Sequence, residues 1–572
     1  MIVFYDFEVF KHDWLVVIID PIEEKETVIV NNVEELEEFY KLHKNNIWVG
    51  FNSRHYDQWI LKGILCGFNP KKINDFIIVR KKAGWQFSGL LRKFQVNNYD
   101  VMNGNDRGLK TFEGFMGNNM KESSVSFDVD RKLTPEEIEE TIKYCRHDVE
   151  QTIEVFLQRQ SDFEAQMGLL KMFEMPLSNI SKTKVQLSAQ ILEAHKKSYD
   201  DEFDISFPNT LRLEKYKSVK EWYENKDNRK YRVDPNNEKS KKHQLKIDIA
   251  NVPHVFGWGG VHGALEKYSG EGYFLNMDVV SLYPSLMIEY NLHSRSCNPK
   301  KFNDIVQTRL KYKAAKNPLQ APLKIVINGT YGAMKDKHNP LYDPRQANNV
   351  CVYGQLLLLD LIEKLEPVCQ IIQSNTDGVL VKMSHREDFE TIKSICTEWE
   401  QRTRLKLEFD EYRKVFQKDV NNYVIVAEDG SYKSKGSYVK KLNNLDYDLP
   451  IVNKAMVDFM VKGVSVEKTI MDCKELKEFQ QVKKISSKYD FIIHGDEILK
   501  EKTIRCFASK SETDGGLKKK HSETGRFEKI ESTPEHCFIV NDDVNGKRIS
   551  RKLDKNWYID LTYKRLKGFG VV

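Results

Sequence analysis

The chain has 572 residues and a mass of 67.0 kDa, several times the length of one compact domain, so several subdomains with their own cores are expected. Its composition, 40% hydrophobic and 30% charged, is that of a folded globular protein and excludes a disordered or fibrous chain. The net charge is only +5, so any groove for a polyanion must come from local clusters of cations.

Cysteine usage and hydropathy predict the compartment. The nine cysteines are scattered without a CxxC pair, which favours a reducing, cytoplasmic setting. No apolar run approaches the roughly 20 residues of a membrane span. Residues 1–10 are apolar but lack a basic stretch and contain Asp6 and Glu8, so we expect neither secretion nor a membrane partner.

The N-terminal stretch predicts an α/β unit. Apolar runs predict strands over residues 2–8, 13–20, 26–30 and 47–52 and a helix over 33–43. Asn32 and Glu35 have the spacing of a capping box at the start of that helix. The resulting β-β-β-α-β order is typical of ribonuclease-H-like nuclease domains, at the level of fold analogy.

Acidic side chains in the first half stand at positions that can converge. Asp6 and Glu8 are two residues apart on the first strand and therefore share a face. Tyr144 and Asp148 are four apart on one long predicted helix and also share a face, and Asp57 begins a helix after a strand. Singly, each acid is more often a solvated surface residue. Together they would repel unless divalent cations, Mg²⁺ or Mn²⁺, neutralised them, which suits phosphodiester hydrolysis.

A polar, basic run over residues 225–246 has almost no apolar periodicity and predicts a loop or linker between the two halves. Beyond it, the segment NMDVVSLYPSLMIEYNL (276–292) predicts a strand that turns into a helix, with Asp278 at the strand's end. Backbone N–H groups at a helix N-terminus bind phosphate, so residues 279–283 are a candidate triphosphate cradle beside a metal on Asp278.

The segment KIVINGTYG (324–332) predicts a helix with a polar stripe. Lys324, Asn328 and Tyr331 recur at i, i+4 and i+7, which puts a cation, an amide and an aromatic ring on one face. These three side chains together suit a nucleotide. Taken singly, a lysine at a helix end is usually a solvated cation.

The segment QIIQSNTDGVLVKM (370–383) predicts a hairpin with Asp377 at its tip. If the strands that carry Asp278 and Asp377 are neighbours, the two carboxylates can share a metal pair for phosphoryl transfer. Asp-Gly alone is ordinary turn chemistry. Further on, Lys418, Tyr423 and Lys435 mix cations and an aromatic ring on predicted strands, which suits the phosphates of a nucleic acid. For the run that contains Lys435, a solvated surface is nearly as good an interpretation.

These segments resemble the family B DNA polymerases that carry an N-terminal 3′→5′ proofreading exonuclease. DFE (6–8), NSRHYD (52–57) and YCRHD (144–148) resemble the three exonuclease motifs, and DVVSLYP (278–284), KIVINGTYG (324–332) and SNTDG (374–378) resemble polymerase motifs A, B and C. FGWGG (256–260) approximates the family's Tyr-x-Gly-Gly element. The sequence departs from the family pattern at Asn375, where an acid is usual, and at Gly329, where serine is usual.

The resemblance implies a multidomain α/β (α+β) fold, a ribonuclease-H-like exonuclease domain followed by a right-hand polymerase of palm, fingers and thumb. The regions implied are the exonuclease 1–175, a connecting segment 176–250, palm 251–300, fingers 301–350, palm 351–445, and thumb with C-terminal region 446–572. The compact size resembles bacteriophage or plasmid replicative enzymes, which implies a host bacterial cytoplasm.

The resemblance also implies residue roles. The implied catalytic residues are Asp6, Glu8, Asp57, Tyr144 and Asp148 for trimming and Asp278 and Asp377 for synthesis. Two Mg²⁺ (or Mn²⁺) ions per site would be held by these acids and by Val279. The implied nucleotide-binding residues are Ser281, Leu282, Tyr283, Lys324, Asn328 and Tyr331. The implied DNA-binding residues are Asn52, Tyr56, Gly259, Gly260, Gly332, Lys418, Tyr423 and Lys435.

The expected partners are primer-template DNA, deoxynucleoside triphosphates and a single-stranded 3′ end, while accessory replication proteins stay open. The short interval between motifs A and B favours a nucleic-acid primer over a protein primer. Two other functions stay open: an exonuclease whose polymerase half has decayed, motivated by Asn375 and Gly329, and a non-enzymatic nucleic-acid scaffold.

Overall fold

In the computed structural model, which describes residues 1–104, 107–234 and 237–571, helices and strands mix along the whole chain. Up to residue 183 the strands are β1 (Ile2–Val9), β2 (Trp14–Asp20), β3 (Lys25–Val30), β4 (Ile47–Gly50) and β5 (Asn98–Asp100). The helices there are α1 (Val33–His43), α2 (Asp57–Leu65), α3 (Pro70–Asn74), α4 (Gly89–Lys93), α5 (Leu109–Met116), α6 (Pro135–Gln158) and α7 (Gln160–Met172).

The following stretch, up to residue 472, again mixes both types. Its helices are α8 (Lys184–Ile191), α9 (Lys217–Glu224), α10 (Leu282–Glu289), α11 (Pro299–Ala314), α12 (Gln320–Met334), α13 (Pro344–Leu365), α14 (Asp388–Thr403), α15 (Pro450–Lys462) and α16 (Val466–Asp472). Its strands are β6 (Tyr231–Asp234), β7 (Asn237–Lys242), β8 (Leu245–Ile249), β9 (Val252–Phe256), β10 (His262–Ala264), β11 (Tyr268–Val279), β12 (Gln370–Ser374), β13 (Gly378–Met383), β14 (Leu407–Asp419), β15 (Asn422–Val426) and β16 (Tyr432–Lys435).

The last stretch is rich in strands and ends in a helix. It contains β17 (Gln481–Lys484), β18 (Tyr489–His494), β19 (Glu497–Leu499), β20 (Thr503–Ala508), β21 (Leu517–His521), β22 (Phe527–Lys529), β23 (Cys537–Ile539) and α17 (Lys555–Gly568). They form two small sheets, in the orders β17-β20-β23 and β19-β18-β21-β22.

The chain divides into two compact units, each built from separated stretches. The first unit comprises Met1–Thr183, Leu442–Pro450 and Cys473–Trp557, and the second comprises Lys184–Lys441, Ile451–Asp472 and Tyr558–Val572. The region that the sequence predicts as one piece, 446–572, is therefore shared between the two units. The predicted domain boundaries remain an interpretation of the sequence.

The main sheet of the first unit has the order β3-β2-β1-β4-β5. β1 is central: it pairs antiparallel with β2 and parallel with β4. The predicted strands and the predicted helix are confirmed, and the side chain of Asn32 accepts a hydrogen bond from the N–H of Glu35 at the start of α1. An apolar core that includes Trp48 and Ile60, both fully buried, packs on this sheet.

The main sheet of the second unit has the order β16-β15-β14-β11-β13-β12-β10-β9-β8. β11 lies between β14 and β13 and pairs antiparallel with both. Its apolar residues from Phe274 onward are buried, and the carboxyl end of the strand, at Asp278, lies opposite Gly378 of β13. The register therefore brings two predicted motifs to one point.

The run 225–246, predicted as a loop or linker, is largely structured, so that prediction is wrong for most of its length. β6 and β7 pair antiparallel, and β8 begins at Leu245. Residues 235 and 236 lie outside the described residues. A ladder of backbone hydrogen bonds needs no apolar periodicity, so a charged run can form it without the signal that predicts strands.

α13 is the most thoroughly buried long helix of the second unit, with apolar residues such as Leu356, Leu358 and Leu361 fully buried. It also carries buried polar groups, among them Asp360, which forms an ion pair with Arg402 of α14. Such a helix belongs to a protein core. Within the described part of the chain, no helix has the length and apolar character needed to span a bilayer.

Two candidate carboxylate sites

The first candidate site lies on β1. Asp6 and Glu8 project to the same side of the sheet, and a carboxylate oxygen of each lies within 4.8 Å of the other and of the Cys145 sulfur on α6. Asp57, at the start of α2, accepts a hydrogen bond from the backbone N–H of Phe7 through Oδ1 (3.2 Å). The structure thus brings together three acids that come from a strand and a separate helix.

The helix α6 adds Tyr144 and Asp148 to this site. Lys110 of α5 reaches the same place: its Nζ lies 2.8 Å from Asp148 Oδ1 and 4.6 Å from the centre of the Tyr144 ring. The Tyr144 hydroxyl donates to Glu122 Oε2 (3.1 Å). Both predicted α6 residues therefore face the site, each already engaged by a neighbour.

The acids of the first site are held close together in a poorly hydrated place. Burial, and then the charges of Asp57, Glu8 and Asp148, raise the pKa of Asp6. Burial and the charges of Asp148 and Asp57 likewise raise the pKa of Glu8, and burial raises the pKa of Asp57 to about 7. One lysine does not offset four such carboxylates, so the donor set fits hard divalent cations with oxygen ligands.

Several residues of the first site were not predicted from the sequence. Lys110 is one, and Glu113, fully buried and with Oε2 3.1 Å from Lys110 Nζ, is another. Glu122 and Cys145 complete the set. Only the contact between α5 and α6 reveals Lys110, because no local pattern links it to Asp148, which lies 38 residues further along the chain.

The two residues predicted to hold a single-stranded 3′ end lie beside Asp57. Asn52 has a positive φ of 59° and bends the chain between β4 and α2. The Tyr56 hydroxyl donates to Asn74 Oδ1 (2.8 Å), and burial raises its pKa well above the usual value. The charges of Asp57, Glu8 and Asp6 also raise the pKa of Tyr56, which puts Tyr56 near the acids. The predicted role of both residues stays a prediction.

The second candidate site lies where β11 meets β13. The N–H of Val279 donates to the carbonyl of Asp377 (2.7 Å), and Asp278 Oδ2 accepts from Asn276 Nδ2 (2.7 Å). Burial and then the charge of Asp377 raise the pKa of Asp278. The neighbour relation between the two strands, on which the predicted metal pair depends, is confirmed.

The turn that carries Asp377 depends on Asn375 and Gly378. Asn375 Oδ1 accepts from the N–H groups of Asp377 (3.1 Å) and Gly378 (2.9 Å), so a neutral amide closes the turn. A Cβ on Gly378 would lie 1.9 Å from Asp278 Oδ1. Gly378 therefore gives the Asp278 carboxylate its space.

The predicted nucleotide-binding residues lie at the start of α10 and along α12. Lys324 and Asn328 are exposed, as the predicted stripe requires. The Tyr331 ring lies 4.3 Å from the Tyr283 ring, centre to centre. Ser281 has a positive φ of 49°, and the Leu282 side chain is buried, so Leu282 offers a ligand only its backbone.

The predicted DNA-binding residues of the second unit fall into two groups. The first group contains the glycines Gly259, Gly260 and Gly332. A Cβ on Gly260 would lie 2.2 Å from Thr376 Oγ1, so Gly260 lies beside the turn of Asp377. Tyr423 and Lys435 are directly paired across β15 and β16. Burial, and then the charge of Asp278, raise the pKa of Tyr423, which puts this pair within electrostatic reach of the carboxylates. Lys418 contacts the Tyr438 ring instead.

The chain is similar to known proteins at low sequence identity. No protein-family model matches it. It is similar to DNA polymerase 1 of Saccharolobus solfataricus at 26% identity, over 34% of this chain and 27% of that protein, and to DNA polymerase 1 of Sulfurisphaera ohwakuensis at 26% identity, over 34% of this chain and 21% of that protein. The match thus spans about a quarter of the length of these curated relatives. Among solved structures, it is similar to the family B DNA polymerase from the archaeon Pyrobaculum calidifontis at 14% identity and a TM-score of 0.43, over 100% of this chain and 78% of that chain.

Proposed function

We propose that this chain, which is similar to archaeal proteins named DNA polymerase 1, is a family B DNA polymerase that extends a primer 3′-OH on a DNA template and trims the 3′ end in a second site. The observation that carries the proposal is the register of β11 and β13, which sets Asp278 beside Asp377. The separate cluster on β1 supports the trimming activity.

For synthesis, we propose that Asp278 and Asp377 hold two divalent cations, with the Val279 carbonyl as a further ligand. The donor set fits, because burial and the charge of Asp377 raise the pKa of Asp278, and divalent cations would offset the repulsion between the two carboxylates. Bound Mg²⁺ or Mn²⁺ would supply charge neutralisation for phosphoryl transfer. Lys324 binds the triphosphate, and Asn328 and Tyr331 line the nascent base pair.

For trimming, we propose that Asp6, Glu8, Asp57 and Asp148 hold the cations and that Tyr144 orients the attacking water. Asn52 and Tyr56 hold the single-stranded 3′ end. The sheet order, with the acidic strand at the centre, supports a ribonuclease-H-like domain. Lys110 restrains Asp148 through their ion pair.

The proposed right-hand arrangement places the palm in the sheet that contains β11 and the fingers in α11 and α12. We keep the thumb in the region after residue 445, with α15 and α16 as its part in the second unit. Primer-template DNA, deoxynucleoside triphosphates and, for trimming, a single-stranded end are the proposed ligands, and replication in a bacteriophage host is the proposed setting.

A decayed polymerase half is the main competing function. The two departures that motivate it have structural explanations: Asn375 closes the turn of Asp377, and a Cβ on Gly329 would lie 2.8 Å from Ser188 Oγ of α8. The test incubates the protein with labelled primed template and Mg²⁺, with and without deoxynucleotides. We expect extension with them and 3′ trimming without them. Trimming alone would favour the decayed polymerase, and neither activity would favour a scaffold.

Removal of divalent metal is expected to abolish both activities. Excess EDTA removes the cations that the two acid clusters require, and added Mg²⁺ or Mn²⁺ is expected to restore extension and trimming together. Primer extension and single-strand trimming assays on one preparation provide the measurement. Persistent trimming in EDTA would contradict the assignment of Asp6 and Glu8.

Tyr283→Val is expected to weaken discrimination against ribonucleotides. The Tyr283 ring packs against Tyr331, so it stands where it can exclude a ribose 2′-OH, and a smaller side chain opens that space. Incorporation of ribonucleotides relative to deoxynucleotides is expected to rise by about tenfold or more. The ratio of kcat/KM for the matching pair measures the effect, and Tyr312→Val, on α11, serves as the tyrosine control. An unchanged ratio would contradict the role of Tyr283.

A further inference from the structure

The carboxyl end of α5 is capped by side chains from a distant part of the chain. The last carbonyl groups of a helix have no partner within the helix and need donors from elsewhere. Here the donors come from the stretch 473–557: Arg505 Nη2 to the carbonyls of Gly114 (3.0 Å) and Asn118 (2.8 Å), Gln480 Nε2 to that of Phe115 (3.1 Å), and Lys477 Nζ to that of Met116 (2.6 Å). All of these residues belong to the first unit.

Arg505 is the central donor. It lies on β20 and is fully buried. Its guanidinium donates only to main-chain carbonyls among the bonds described: those of Val540 (3.3 Å) and Asp542 (2.8 Å), in addition to those of Gly114 and Asn118. Burial lowers its pKa to about 10, against the charges of Asp543 and Glu113, which raise it. A cation at this end of a helix also meets the negative pole of the helix dipole.

Main-chain contacts join the same two parts of the unit. The N–H of Met120 donates to the carbonyl of Asn541 (2.9 Å), and the N–H of Val544 donates to that of Gly117 (2.8 Å). A Cβ on Gly114 would lie 2.9 Å from Val482 Cγ1 of β17. The stretch 473–557 therefore contacts the end of α5 through both side-chain and main-chain groups.

The other end of α5 reaches the trimming site. Lys110, in its first turn, holds Asp148 at 2.8 Å, and Glu113 lies between Lys110 and the capped end. α5 has eight residues, and the hydrogen bonds between its turns couple the position of its carboxyl end to that of Lys110. Lys110 forms ion pairs with both Glu113 and Asp148. The charge of Glu113 also acts on Arg505.

We propose that the stretch 473–557 is part of the trimming apparatus and that Arg505 is a positioning residue, which sets Lys110 against Asp148 through α5. This inference rests on the proposed trimming activity and deepens it. Because Arg505 touches no reacting atom, its loss is expected to slow turnover and to leave the affinity for single-stranded DNA almost unchanged. Synthesis, whose acids lie in the second unit, is expected to be unaffected.

The first experiment measures kcat and KM for trimming of a single-stranded oligonucleotide. Arg505→Met is expected to lower kcat by about tenfold, since small misplacements of catalytic groups are costly, with KM changed less than about twofold. Arg505→Lys is expected to recover part of the rate. Arg526→Met, an exposed arginine of the same stretch, is the matched control and is expected to trim normally.

The second experiment separates positioning from general stability. If Arg505 acts through Lys110, Arg505→Met adds little to Lys110→Met, so the double variant is expected to trim within about twofold of Lys110→Met alone. Multiplicative losses, or an equal fall in primer extension, would overturn the proposal. Should Arg505→Met not fold, Lys477→Met, at a half-buried position, carries the same test with an expected two- to threefold fall in kcat.

The wild-type protein is assayed first, because its result separates a failure of the proposed trimming activity from a failure of the proposed role of Arg505. A wild-type chain that does not trim refutes the proposed function. A wild-type chain that trims, together with Arg505→Met and Lys477→Met variants that trim at the same rate, refutes only the role of Arg505.

Discussion

Asp278→Asn is expected to lower primer extension by about 10³-fold or more while 3′ trimming stays at the wild-type rate. Loss of a group that merely supports a metal ligand costs 10- to 100-fold, so loss of a ligand itself is expected to cost more. The amide keeps the shape of the side chain and can still accept the hydrogen bond from Asn276. The fold should persist, because the change also removes a like charge beside Asp377.

The measurement is single-nucleotide extension with Mg²⁺, beside trimming of a single-stranded oligonucleotide and a thermal melt. Asp377→Asn is expected to give the same pattern. Asp248→Asn is the matched control, since Asp248 is an exposed acid on β8 of the same sheet. Extension by Asp278→Asn at a rate near the wild type would remove the main support for the proposed synthesis site. Loss of both activities in a folded protein would contradict the assignment of two separate sites.

The sequence predicted the elements that carry the acids, because each depends on local patterns. The alternation of faces along a strand pairs Asp6 with Glu8, and the spacing on a helix pairs Tyr144 with Asp148. The pair Asp377-Gly378 predicts the turn. The sequence does not determine whether β11 and β13 are neighbours, and the predicted metal pair depends on that. Pairing of strands about 100 residues apart depends on the whole sheet rather than on either segment.

The supporting residues escaped prediction for the same reason. Lys110 meets Asp148 only because α5 packs against α6, and Arg505 meets α5 from 391 residues away along the chain. Neither contact leaves a periodic signal. Position in the sequence predicts that the stretch 473–557 is part of the thumb region, whereas its contacts join it to the unit that contains β1. The sequence does not predict the pairing of β6 with β7, because these charged strands lack the apolar alternation that indicates a strand.

Asp6→Ala combined with Glu8→Ala is expected to abolish trimming, by about 10³-fold or more, and to leave primer extension intact. Both side chains belong to a group of potential ligand atoms that lie within 4.8 Å of one another, and β1 carries no other acid that could replace them. The fold is expected to tolerate the change. The carboxylates repel each other in a buried place that raises the pKa of both, so in metal-free protein their loss relieves strain that offsets the lost side-chain contacts.

The measurement is trimming of single-stranded and mismatched primer ends, with extension and thermal melting assayed on the same preparation. Glu23→Ala with Glu38→Ala, two exposed acids of the first unit, is the matched control for the removal of two negative charges. The trimming-deficient variant is also expected to extend mismatched primers more often, because the mismatched end is no longer removed before synthesis resumes. Full trimming by the double variant would show that the acids of β1 hold no catalytic metal, and loss of extension as well would show that β1 serves both activities.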